Sequence, residues 1–204
     1  MQSSNKQIKK NDLLVVASHN EGKIIEFKTL LSKFKIKILT STDLNIQDVK
    51  ETGTSFKENS ILKVNSIPNK YIAISDDSGL CVKNLDNKPG IFSSRYQKAC
   101  GGWFNAMKQI YDSVSKSEKP DFSAKFFCAL SIKFKDQSIF SYSGEIKGRL
   151  TWPPRGNNGF GYDPFFVPNG YTQTFAEMSH RKKILMDHRS VALGKLIKSH
   201  LSDS

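Results

Sequence analysis

The 204-residue sequence predicts an α/β fold, a long mixed β-sheet flanked by helices, and three observations predict it. Leu13-Leu14-Val15-Val16-Ala17 is an apolar run of strand length, and after a polar turn Ile24, Phe27, Leu30, Leu31 and Phe34 recur at helical spacing. Further on, Phe122, Ala124, Phe126, Cys128, Leu130, Ile132 and Phe134 alternate with the residues between them, the period of a long, half-buried strand. Lys135-Asp136-Gln137 then makes a turn, and Phe140, Tyr142 and Ile146 continue as its partner. That antiparallel hairpin makes the sheet mixed, not the all-parallel sheet of a doubly wound fold.

Each element follows from local chemistry. The turn Ser18-His19-Asn20-Glu21-Gly22-Lys23 opens the first helix and aims backbone N–H groups and the positive helix end at whatever it holds. Ser18 or Asn20 can cap that helix, or the turn can take a phosphate, which would offset the poor placing of Lys23 near the helix start. Ile36, Ile38 and Leu39 suggest a second strand. Thr54 or Ser55 caps a helix through Ile61, Leu62 and Val64, with Lys63 on its polar side and Glu51 just outside, either a solvated charge or a metal carboxylate.

The strand Tyr71 to Ile74 runs into Asp76-Asp77-Ser78-Gly79 before the apolar run resumes at Leu80. These residues either make a tight turn or present one carboxylate to a hard cation, since neighbouring strand residues face opposite ways. Asn87-Lys88-Pro89-Gly90 is a turn, and Trp103, Met107, Ile110 and Tyr111 form a helix face. Ser115 to Pro120 is a polar linker. The glycines of Gly156 to Pro164 permit close approach to a ligand, with Phe160 and Tyr162 as aromatic faces or as core residues. Thr174 to Glu177 fits a capping box, and Asp187 caps a last helix through Ala192, Leu193, Leu196 and Ile197.

Hydrophobic residues make up 38% of the chain, enough for one substantial core, so residues 13–204 are expected to form a single domain. Met1 to Asp12 is polar and lysine-bearing, a frayed tail and not a secretory signal, and no apolar run approaches a membrane span. Cys81, Cys100 and Cys128 have neither disulfide nor zinc spacing, which points to reduced thiols and the cytoplasm. A net charge of +12 raises nucleic-acid binding, but the lysines are scattered and form no such motif. Scattered lysine also suits a small polyanion in a focused positive cleft.

Six stretches in order carry a resemblance. They are Ser18-His19-Asn20 with Lys23 and Glu26; Glu51-Thr52-Gly53 with Phe56, Glu58, Asn59 and Lys63; Asp76 to Leu80; Pro89-Gly90-Ile91 with Ser94-Arg95-Tyr96; Gly159 to Pro164; and Lys183 with His188-Arg189. Together they resemble the inosine triphosphate pyrophosphatase family. The resemblance implies two lobes around a nucleotide cleft, a purine nucleoside triphosphate substrate, Mg²⁺ as cofactor and a homodimer, with neither nucleic acid nor membrane as partner. It implies Asp77 as general base and metal ligand, Glu51 as a second metal carboxylate, and Ser18 to Lys23, Lys63 and Ser78 on the substrate. It also implies Phe160, Gly161, Tyr162, Asp163, Lys183, His188 and Arg189 around the nucleotide, where His188 and Arg189 could offer donors to a 6-oxo group. His19 stands where the family has glycine, Asp187 where it has serine, and the segment from Gln97 to Asn105 is shorter and less acidic than expected. The reaction expected is hydrolysis of ITP, dITP or XTP to the monophosphate and pyrophosphate. The competing readings are a basic nucleic-acid-binding module and a phosphatase releasing orthophosphate.

Overall fold

The computed structural model describes residues 6–201. In chain order its elements are β1 (Leu13–Val16), α1 (Glu21–Leu31), β2 (Lys37–Thr40), α2 (Phe56–Asn65), β3 (Ile72–Val82), β4 (Lys88–Pro89), α3 (Ser93–Ala99), α4 (Trp103–Ser115), β5 (Ser123–Lys133), β6 (Ile139–Leu150), β7 (Phe166–Pro168), α5 (His180–Ile184) and α6 (His188–His200). The seven strands form one sheet in the order β2-β1-β3-β5-β6-β7, with β4 paired to β3 off that path. β1 is parallel to β2 and β3, whereas β3–β4 and β6–β7 are antiparallel, so the sheet is mixed as expected.

The chain divides into two compact units, one comprising residues up to Asp77, Cys128–Gly144 and Arg189 onward, the other Ser78–Phe127 and Glu145–His188. In the first, β1 alternates between two layers. Leu14 and Val16 join Phe27 and Leu31 of α1 and Ala192, Leu193 and Leu196 of α6, while Val15 and Ala17 meet Val64 and Ile67 on the side of α2. Cover on both faces explains why β1 is uniformly apolar. The second unit is built on Leu80, Val82, Phe126, Phe165, Phe166 and Phe175, packed with Ala106, Met107, Ile110 and Val114 of α4.

Four expectations are corrected. Asp76-Asp77-Ser78-Gly79 is not a turn but the middle of β3. Its glycine serves close approach: a Cβ on Gly79 would lie 2.2 Å from the Gly90 carbonyl oxygen and 2.5 Å from Ser93 Oγ. The same Ser93 Oγ accepts from the Leu80 N–H at 3.0 Å. β5 is half-buried only in its first part, since Cys128 to Phe134 are buried without a break. Its polar residues there are satisfied internally. Ser131 Oγ bonds the hydroxyls of Ser60 and Ser141 at 2.7 and 2.8 Å, and Lys133 Nζ donates to the Ile67 carbonyl and Asn69 Oδ1 at 2.5 and 3.0 Å.

The Thr174–Glu177 capping box forms its reciprocal bonds, Thr174 N–H to Glu177 Oε2 at 2.7 Å and Glu177 N–H to Thr174 Oγ1 at 3.1 Å, but closes a turn. The next helix, α5, starts at His180 behind Ser179 as its cap. Of the tail expected over Met1 to Asp12, residues 1–5 lie outside the described residues. Ile8 is not frayed: it is buried, bridges to Leu201 and donates its N–H to the His200 carbonyl at 2.7 Å. Among the described residues no helix is long and apolar enough to cross a membrane.

Candidate active site

Asp76 and Asp77 point to opposite sides of β3, and that alternation gives two adjacent carboxylates different surroundings. Asp76 is 1% exposed. Its Oδ2 takes Arg189 Nη2 at 3.0 Å, Arg189 Nε at 3.3 Å and Lys23 Nζ at 3.1 Å. Arg189 Nη1 pairs in turn with Glu26. Lys23 and Glu26 stand three apart on α1 and so share a face, completing an alternating set of four buried or nearly buried charges. Burial alone would drive Asp76 toward its neutral form, but Arg189, Lys23 and Lys63 prevail and hold it well below the usual carboxylate range.

Asp77 behaves oppositely. Burial raises its pKa, Glu51 adds to the rise, and Lys63, Lys23 and the Asn59 hydrogen bond only partly oppose it. Asp76 stays ionised while Asp77 becomes more basic than an exposed aspartate, the separation that acid–base chemistry uses.

The segment before α2 supplies what surrounds Asp77. Ser55 caps α2 through the Glu58 N–H at 3.2 Å, and Glu58 Oε2 clamps Thr54 by its N–H at 2.7 Å and its hydroxyl at 2.9 Å. Lys63 reaches three groups: the Glu51 carboxylate, Asp77 Oδ1 at 3.8 Å and the Asp76 carbonyl at 3.2 Å. Burial works against its charge, yet Asp77, Glu51 and Asp76 prevail and raise its pKa, so it is an ammonium ion. Among the described residues no three His, Cys, Asp or Glu side chains gather as a metal-holding group. The pair Glu51 and Asp77, drawn to one cation, nevertheless fits a magnesium ion, which commonly takes one or two protein carboxylates and completes its shell with water and phosphate oxygens.

In the turn before α1, Asn20 is the cap, its Oδ1 accepting from the Lys23 N–H at 3.1 Å, and Ser18 Oγ accepts from the Asn20 N–H at 3.2 Å. Glu21 and Gly22 begin α1. The unfavourable place of Lys23 near the positive helix end is offset by Asp76. His19 lies against the following loop, Nε2 2.9 Å from the Ile46 carbonyl and Nδ1 3.3 Å from Asp48 Oδ1.

In the second unit, Lys183 is 2% exposed, with Nζ 2.6 Å from Asp163 Oδ2 and 4.6 Å above the Phe160 ring. Asp163 Oδ2 also accepts from the Phe160 N–H at 2.8 Å. Gly159, at φ +73°, makes this fold-back possible, because a Cβ there would fall 2.1 Å from that same oxygen. Gly161 follows at φ +66°. Tyr162 is a core residue: it is buried, meets Trp103 edge-on at 5.0 Å, and donates its hydroxyl to the Ser93 carbonyl at 3.3 Å. Burial pushes its phenol far up. His188 stacks on Phe126 at 4.9 Å and 14°. Ser78 follows Asp77 on β3 and is partly exposed.

The expected residues thus fall into two groups, Lys23, Glu51, Lys63, Asp77 and Arg189 in the first unit and Phe160, Asp163 and Lys183 in the second. Arg189, expected at a base, has its guanidinium on two carboxylates. Asn59, Glu26 and Asp76 were not singled out for the site, although each bonds a residue that was. All three stand in the stretches that carry the resemblance, but no role was attached to them there.

A mixed-sheet α/β protein with two adjacent carboxylates inside a central strand, Asp76 held by Lys23 and Arg189 and Asp77 facing Lys63, is the class these features define. The chain belongs to the Ham1 family, whose model matches residues 14–199. It is 39% identical to a dITP/XTP pyrophosphatase of Zymomonas mobilis over 187 residues, covering 90% of each chain. It is 37% identical to the dITP/XTP pyrophosphatase of Gluconobacter oxydans, covering 94% of this chain and 92% of that one. The solved structure of a HAM1 protein from Coxiella burnetii superposes with a TM-score of 0.81 at 32% identity, over 92% of this chain and 97% of that one.

Proposed function

We propose that this protein hydrolyses deaminated purine nucleoside triphosphates, ITP, dITP and XTP, to the nucleoside monophosphate and pyrophosphate. The relatives named dITP/XTP pyrophosphatase support the substrate class. The observation that carries the chemistry is the placing of two adjacent carboxylates on β3, Asp76 against Arg189 and Lys23 and Asp77 with Oδ1 toward Lys63, with burial raising the basicity of Asp77. Asp77 takes a proton from water, the water oxygen bonds to the α-phosphorus, and the bond to the α,β-bridging oxygen breaks. Pyrophosphate leaves with that electron pair. Lys23 and Lys63 offer positive charge to the polyphosphate, and Ser18 to Gly22 and Ser78 bind it. Glu51 and Asp77 would hold Mg²⁺, which would supply neutralisation of phosphate charge. Phe160 to Asp163, Lys183 and His188 serve the nucleoside end. Arg189 serves the site by keeping Asp76 charged.

Residues 13–204 are proposed to act as one catalytic domain, in a cytoplasmic homodimer. The reduced thiols of Cys81, Cys100 and Cys128 are compatible with a reducing compartment. Product analysis with ITP, XTP and ATP plus Mg²⁺ tests the reading. Pyrophosphate from ITP and XTP, and little from ATP, is expected; orthophosphate as the first product would overturn it. Asp77→Asn should abolish turnover, and substantial residual activity would remove Asp77 from the role.

A further inference from the structure

We propose that Asn59 is a positioning residue for the reaction, fixing Asp77 by one oxygen so that the other, Oδ1, does the work. The inference rests on Asp77 being the base. Asn59 is fully buried in the first turn of α2, and its amide spans two partners. The Gly53 N–H donates to Asn59 Oδ1 at 2.9 Å, and Asn59 Nδ2 donates to Asp77 Oδ2 at 2.9 Å. A backbone N–H can only donate, so the atom facing Gly53 must be the amide oxygen. The amino group is therefore turned to Asp77, and the orientation does not depend on how an amide is assigned.

The relay is held from both ends. Gly53 stays close because it lacks a side chain: a Cβ there would lie 2.7 Å from Asn59 Oδ1 and 2.7 Å from the Glu58 Cβ. The next residue, Thr54, is clamped by Glu58, and the Asn59 N–H donates to the Ser55 carbonyl at 3.1 Å. With Oδ2 engaged by Asn59, Asp77 Oδ1 faces the ammonium of Lys63, which also carries Glu51. The oxygen that points to the second carboxylate and the cation is thus chosen by an amide on a neighbouring helix. A catalytic group displaced by about 1 Å can lose on the order of 10²-fold in rate, so small freedom here has a large effect.

Two variants separate positioning from mere packing. Asn59→Ala should lower kcat about 10–100-fold with KM within about twofold, because the base is no longer held where the reaction needs it. Asn59→Asp keeps the shape and still accepts from Gly53, but it cannot donate and sets a like charge against Asp77. It should therefore lose more kcat than Asn59→Ala, and since a buried like charge also costs stability, the comparison is made on the kcat of folded protein. Calorimetry with the α,β-methylene analogue of ITP should give affinities within about twofold of the wild type for folded variants. Thermal melts check folding, and if the alanine variant does not fold, Asn59→Asp against wild type carries the comparison. Wild-type kcat in Asn59→Asp, or a raised KM with kcat unchanged, would overturn the proposal. An active Asp77→Asn would instead sink the base assignment itself, so the two failures are distinguishable.

Discussion

Replacing Arg189 by methionine should destabilise the protein more than it disturbs substrate choice. Arg189, Glu26 and Asp76 are 1%, 2% and 1% exposed, so the guanidinium neutralises two carboxylates that water cannot reach. Removing one partner of a buried ion pair costs about 3–5 kcal/mol. Lys23 remains on Asp76 at 3.1 Å, which leaves Glu26 as the stranded charge and puts the loss near the lower end, about 3 kcal/mol. In a chain of this size each kcal/mol moves the melting point by about 2–4 °C, so a drop of roughly 6–12 °C is expected. Thermal unfolding followed by circular dichroism at neutral pH reads it directly. Adding Glu26→Gln removes the stranded charge, and the double variant should recover about 1 kcal/mol or more through the coupling of contacting residues. A melting point for Arg189→Met within about 2 °C of wild type, together with a lost preference for ITP over ATP, would show that the guanidinium reads the base and does not brace the carboxylates.

Two further outcomes follow from buried groups. Cys100 is partly exposed, whereas Cys81 and Cys128 are buried and burial pushes the Cys81 thiol up to about 11. Iodoacetamide at neutral pH should label Cys100 first, and peptide mapping that finds Cys81 modified at the same rate would contradict the packing. Burial lowers the pKa of Lys133 below its ordinary value. The unfolded chain then binds the extra proton between the lowered and the ordinary pKa, so stability rises with pH through that window and is lost as pH falls through the folded value. Lys133→Met should flatten this alkaline rise, measured as the difference between the urea midpoints of the two proteins; parallel curves would refute it.

The fold was legible wherever one local signal acted alone. The run of β1, the helical spacing of α1 and α4 and the hairpin of β5 and β6 are all where the pattern puts them. It failed where distant chain decides the matter. Gly79 has the composition of a turn but serves the approach of Gly90 and Ser93, which no window around Asp76 contains. Ser131 and Lys133 look solvated by alternation and are buried because Ser60, Ile67 and Asn69 satisfy them from elsewhere. The capping box at Thr174 makes its hydrogen bonds without a helix behind it. In the site, acidic and cationic residues were recognisable by type, but which cation meets which carboxylate depends on the register of β3 against α1, α2 and α6. Asn59, an amide among carboxylates, carries no charge that would have singled it out.

β2 ends the sheet, and the stretch leading into it bears Lys33, Lys35 and Lys37, all exposed. A terminal strand offers unpaired peptide groups to any passing chain, and a fringe of like charge repels an identical molecule approaching side-on. Part of the lysine excess then has an explanation unrelated to phosphate. Like charge at that place would disfavour edge-to-edge pairing, and exchanging those three lysines for threonine should make concentrated solutions turbid while leaving each molecule folded.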